Sequence, residues 1–168
     1  MRTRTTNWFE ASVRYQRQGE DGGQTTVNET YVIDALSFGE AEEAVTDELA
    51  TFVSGDFKIK NITPASYSEV FFSDMDEDDK WYKAKLTFTT IDEEKGKEKR
   101  SSVYYLVQAK NFSGAVRNID TVFAGSVFDY VISNITETRI MDVFEHRAPK
   151  ENNGGGAQTP APAEGEKA

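Results

Sequence analysis

The 168 residues carry 19 Lys and Arg against 29 Asp and Glu, a net charge of −10, with four Pro, twelve Gly, one His and no Cys. That length fits one domain, or two very small ones, with a core large enough to stand without disulfides. No apolar run approaches the roughly eighteen residues of a membrane span, and the polar start MRTRTTNWFEA lacks the apolar stretch of a secretory signal, so a cytoplasmic protein without membrane contact is expected.

The first predicted element is a half-buried strand, because Phe9, Ala11, Val13 and Tyr15 alternate with Glu10, Ser12 and Arg14. Glu20-Asp21-Gly22-Gly23 supplies a hairpin turn, and the returning strand sets Tyr31, Ile33 and Ala35 on one face. Ser37 with Glu40 three residues on forms a capping box for a helix that presents Ala41, Ala44, Val45, Leu49 and Phe52 and stops at Ser54-Gly55. Phe57 and Ile59 open a third strand. Pro64 breaks its alternation, so the stretch to Phe72 is two strands or one bent strand.

Residues 74–79 are acidic and predict a solvated linker. Asp74, Asp76 and Asp78 have the opening spacing of a calcium loop, but Asp79 stands where that loop needs Gly and Lys85 where it needs Glu, so no metal is expected. Tyr82, Ala84, Leu86 and Phe88 then begin the scheme again, followed by a Lys95-Gly96-Lys97 tip and a strand carrying Val103, Tyr105 and Val107. A second helix is predicted near residues 112–127, with Ala115, Ile119, Val122 and Phe123 inward. Residues 148–168, rich in Gly, Pro, Ala and Glu, are expected to be disordered.

Shifting the sequence by 73 or 74 positions aligns the two schemes. Trp8-Phe9-x-Ala11 falls on Trp81-Tyr82-x-Ala84, Tyr31 on Tyr105, Ala35-x-x-Phe38-x-x-Ala41 on Ala109-x-x-Phe112-x-x-Ala115, Ile59-x-Asn61-Ile62-Thr63 on Ile132-x-Asn134-Ile135-Thr136, and Val70-Phe71 on Val143-Phe144. The expected fold is therefore α+β: a tandem duplication of a ββαβ unit over residues 1–73 and 80–147, with antiparallel pairing and helices on one face. Asn61 and Asn134 suggest a shared turn or β-bulge. One helix covers one face of each unit, so the other face needs the second copy, another chain or a ligand. One continuous mixed sheet and two packed sheets both satisfy the pattern.

The blocks WFEASVRY, YVIDALSFGEAEEA, FKIKNIT and WYKAKLTF, with the closing IMDVF, resemble a family of hypothetical proteins from Bacteroides-like bacteria and their mobile elements. The likeness covers about residues 7–145, and ALSFGEAE and IMDVF are its most specific pieces. It implies a bacterial or phage setting and no functional residues, since the family carries no assigned activity.

Composition argues against an enzyme. With no Cys and His146 as the single His, thiol nucleophiles, His-based triads and ordinary zinc sites have no residues to build on, and no glycine-rich phosphate loop is present, so no cofactor is expected. The negative charge is also uneven. Residues 1–73 carry 6 basic and 12 acidic groups, whereas residues 80–147 carry 11 basic and 9 acidic, a mildly basic half able to meet an anion.

If Phe9, Ala11, Val13 and Tyr15 face the core, Trp8, Ser12 and Arg14 face the other way, as do Trp81, Lys83, Lys85 and Thr87 in the second copy. An indole followed by cations on an uncovered face suits single-stranded nucleic acid, in which bases stack and phosphates follow the cations. The hairpin residues Lys97, Lys99 and Arg100 would extend that groove. The tail, ending in Glu164, Glu166 and Lys167, would recruit a partner protein. Three other readings compete: each Trp is a packing anchor, the face is a homodimer or adaptor interface, or the two copies enclose an anionic small molecule such as a nucleotide.

Overall fold

A computed structural model describes residues 1–145; the expected disorder of residues 148–168, and His146, lie outside them. The fold is α+β. A short β1 (Arg2–Arg4) precedes β2 (Trp8–Gln18), β3 (Gln24–Asp34), α1 (Phe38–Ala50), β4 (Phe57–Ala65) and β5 (Tyr67–Phe72). After the 73–79 segment come β6 (Lys80–Asp92), β7 (Lys97–Ala109), α2 (Phe112–Val122), β8 (Asp129–Glu137) and β9 (Ile140–Phe144).

Local chemistry accounts for most boundaries. The β2–β3 and β6–β7 hairpins turn at Gly22 and Gly96, whose φ angles of 81° and 60° lie in the left-handed region that Gly enters without a Cβ penalty. Ser37 Oγ accepts the Glu40 N–H (3.2 Å), and Glu40 Oε2 accepts the Leu36 N–H (3.1 Å), so the expected box forms with its return bond one residue earlier. Asn111 caps α2 the same way, accepting from Gly114 N at 2.8 Å. Both helices end sooner than their apolar spacing suggests. Thr51 donates its hydroxyl to Glu48 O (2.7 Å), and Gly125, at φ 80°, turns the chain after α2. The stretch from Phe57 to Phe72 resolves into two strands that part at Ser66, two residues beyond Pro64.

The strands form two mixed sheets, ordered β1-β5-β7-β6-β8 and β4-β2-β3-β9. Here the expectation of purely antiparallel pairing is corrected. β5 leaves the first half and pairs parallel with β7, while β9 leaves the second half and pairs parallel with β3. A parallel neighbour is accessible because each strand reaches it through a crossover from the opposite sheet rather than a tight hairpin. The two exchanges share one register: Val70 and Phe71 lie beside Leu106 and Val107, as Val143 and Phe144 lie beside Val32 and Ile33. The β2–β4 ladder is bulged between Ser12 and Val13, opposite Asn61, and the β6–β8 ladder between Lys85 and Leu86, opposite Asn134.

Three apolar layers follow from strand alternation. Phe9, Ala11, Val13, Tyr31, Ile33 and Phe144 pack under Ala41, Ala44, Val45 and Leu49 of α1. Phe71, Leu86, Tyr105 and Val107 pack under Ile119 of α2. Between the sheets, on the faces turned away from both helices, Trp8, Val32, Tyr67, Val70, Trp81, Leu106, Ile140 and Val143 form a third cluster. Each fully buried side chain of this kind stabilises the fold by roughly 1.5–3 kcal/mol before entropy is counted. The uncovered face of each half therefore meets the other half at its tryptophan end. Arg4 closes the far side through ion pairs with buried Asp34 and with Glu145 (3.4 Å), and Arg2 lies 4.1 Å above the Phe72 ring.

Candidate functional site in the inter-sheet cleft

Away from Trp8 and Trp81 the same inward faces turn polar. On the first sheet the positions facing inward carry Glu10, Ser12 and Arg14, with Thr30, Asn28 and Asn61 beside them; on the second they carry Lys83, Lys85 and Thr87, with Tyr104, Ser102, Asn134 and Thr136. Closing the sheets over these groups would strip them of water without partners, so a cleft remains. Its floor is a hollow of about 260 Å³ lined from both sheets and the β8–β9 connection by Glu10, Thr30, Tyr67, Lys83, Thr138, Arg139 and Ile140. Lys83 and Thr138 continue into a second hollow of about 460 Å³ that adds Lys85, Tyr104, Asn134, Thr136 and Glu137.

The charges of this cleft are unevenly satisfied. Neither Lys83 nor Lys85 is within ion-pair distance of a carboxylate among the described residues, and Glu137, at the rim, is engaged by Lys80 at 3.3 Å. The Lys83 ammonium instead lies 4.7 Å from the Tyr104 ring centroid and 5.9 Å from that of Tyr67. Burial, and then the negative charge of Glu10, push the Tyr67 hydroxyl up to about 12, so it stays a neutral donor throughout the physiological range. Further out, Thr87 shares hydroxyl hydrogen bonds with Ser133 (2.5 Å) and Ser102 (3.3 Å).

Several of the residues singled out in the sequence come together here. Lys83 and Lys85 sit side by side on one wall; Arg100 shares their face four positions beyond Tyr104, roughly 13 Å along the strand. Lys97 and Lys99 alternate onto the opposite face. Arg14 stands on the facing wall, its Nε donating to Asn28 Oδ1 at 3.1 Å. Trp8 and Trp81 are corrected from an open face to the core: they are 2% and 3% exposed, and no base can stack on either ring in this conformation. The site residues missed from sequence are Glu10, Tyr67, Tyr104, Thr138 and Arg139. One signal for Tyr104 was available, because in Tyr104-Tyr105 one ring must face away from the helix.

A separate acidic hollow of about 380 Å³ is lined by Asp74, Asp76, Asp78, Asp79 and Asp142 with Met75, Met141 and Trp81. Asp78 is held there by Ser73 Oγ (2.5 Å). Among the described residues no three His, Cys, Asp or Glu side chains gather where they could hold a metal ion, and no helix is long and apolar enough to cross a membrane.

No curated protein and no solved structure matches the chain. Residues 7–146 match a domain of unknown function, DUF4494, and with most of its length inside that match the chain belongs to this family.

Proposed function

We propose that the protein is a non-catalytic binder of single-stranded nucleic acid, and that the strand lies in the inter-sheet cleft against the wall of Lys83 and Lys85. The observation that carries this reading is the pair of ammonium groups on a concave face, neither within ion-pair distance of a carboxylate among the described residues, beside the half-buried ring of Tyr104. A lysine that meets a phosphate releases the counter-ion condensed there on the nucleic acid, and a tyrosine ring gives a base a stacking surface. Arg14 and Arg100 extend the positive track. The net charge of −10 repels a polyanion as a whole, so binding rests on the local field of the cleft, and its weakening with salt comes from the phosphates that Lys83 and Lys85 meet.

We also infer that the chain is a tandem duplication. The identical registers of the two exchanged strands and the two bulges at corresponding positions support it, and they put the cleft floor where the halves meet.

The floor favours a second reading, a free nucleotide, because Lys83 and Arg139 line one hollow of about 260 Å³ together with residues of both sheets. The test is fluorescence anisotropy of a labelled mixed-sequence oligonucleotide at increasing salt, beside thermal melts with mononucleotides. Saturable binding that weakens with salt supports the strand; a raised melting temperature with mononucleotide and no oligonucleotide binding supports the nucleotide; neither response removes both.

A further inference from the structure

The walls of the cleft occupy corresponding positions in the two halves and carry opposite chemistry. Glu10 and Lys83 are 73 positions apart, stand at the same place in β2 and β6, and both line the floor. Along the second wall the series continues Lys85, Tyr104, Thr138 and Arg139; at the corresponding places the first wall has Ser12, Thr30, Ala65 and Ser66. At the floor a strand held in this cleft therefore meets Lys83 from one half and Glu10 from the other, with Arg14 farther out on the wall of Glu10 and Glu137 at the rim beside Lys85. Glu10 is half-buried and makes no hydrogen bond or ion pair with another described residue, although Lys83 and Arg139 line the same cavity. Its carboxylate oxygens are not among the buried unpaired polar atoms of the described residues, so they face the water of the cleft and stay open to a ligand donor.

Resting on the reading of the cleft as a single-strand site, we propose that Glu10 is its specificity-determining residue: with the phosphates on Lys83 and Lys85, the Glu10 carboxylate accepts a hydrogen bond from the exocyclic amino group of the base, so cytosine is taken in preference to uracil. Cytosine offers the N4 amino group as a donor, and a carboxylate is its natural acceptor. Uracil places carbonyl oxygens on both sides of its one edge donor, and a carboxylate repels them.

The test compares oligo-dC with oligo-dU of equal length in low salt, on the full chain and on Glu10→Gln, whose amide can both donate and accept. The expected result is at least about fivefold tighter binding of oligo-dC by the unaltered protein and a ratio near one for Glu10→Gln at unchanged melting temperature. Equal affinities in the unaltered protein, or a ratio kept by Glu10→Gln, overturns the role of Glu10 while leaving the cleft a nucleic-acid site. Failure of both oligonucleotides to bind removes the site itself. Should Glu10→Gln not fold, Glu10→Ser takes its place, and the dC-to-dU ratio of the unaltered protein decides the base preference without any variant.

Discussion

Phe71, at the end of the first half, stacks on Tyr105 of the second, with ring centroids 5.0 Å apart. Phe144, at the end of the second half, stacks on Tyr31 of the first at 5.1 Å. Each half thus finishes its helix-covered core with an aromatic from the other. The cleft walls are fixed relative to one another by this exchange as well as by the shared Trp8–Trp81 cluster.

Unfolding should consequently be a single transition. Phe71→Ala and Phe144→Ala each remove a buried ring, and each is expected to lower stability by about 3–5 kcal/mol in urea titrations. Tryptophan fluorescence and far-ultraviolet circular dichroism should give coincident curves for the parent. Two resolved transitions would mean that the halves fold independently.

Glu69 on β5 and Asp142 on β9 stand 73 positions apart, and burial raises the carboxyl pKa of both. A raised native value favours the protonated form, so the stabilising contribution is full below the unfolded pKa and is lost as pH rises through the native one. At neutral pH both charges are therefore a cost. Glu69→Gln is expected to raise the melting temperature at pH 7, with the gain vanishing by about pH 3, where both forms are neutral. Asp142→Asn should act in the same direction but less, because its side chain is more open to water. Melting curves across that range check both signs.

Trp8→Phe and Trp81→Phe should leave oligonucleotide affinity within about twofold while reducing stability through poorer packing. Trp8 Nε1 is buried without a hydrogen-bond partner among the described residues, so its replacement sacrifices no bond there. Indole emission should be blue-shifted and unaltered by saturating oligonucleotide. Quenching on binding would return the indoles to the ligand site.

Hairpins, capped helices and the 73-residue spacing were legible because each rests on local residues: Gly22 and Gly96 at the turns, Ser37 before α1, and alternation from Phe9 and from Tyr82. The exchange of β5 and β9 was not, since parallel pairing joins residues far apart and leaves no local signature. A trace of it exists in Tyr31-Val32-Ile33 and Tyr105-Leu106-Val107, apolar runs that mark strands covered on both faces. The same runs explain why alternation gave the correct face for Trp8 and Trp81 and the wrong surroundings. That face is polar from Glu10 and Lys83 outward, so Lys83 and Lys85 were legible as candidates, while Glu10, which lines the same floor, looked like one more surface acid.

We propose that Lys83 and Lys85 meet phosphates, and the salt dependence of oligonucleotide affinity reads that contact. For single strands the logarithmic slope falls by about 0.7 for each phosphate that a cation no longer neutralises. Lys83→Gln and Lys85→Gln are each expected to weaken binding at low salt and to flatten the slope by about that amount, with Lys97→Gln, on the opposite face, as the unaffected control. Identical slopes for all four proteins would mean that neither lysine meets a phosphate.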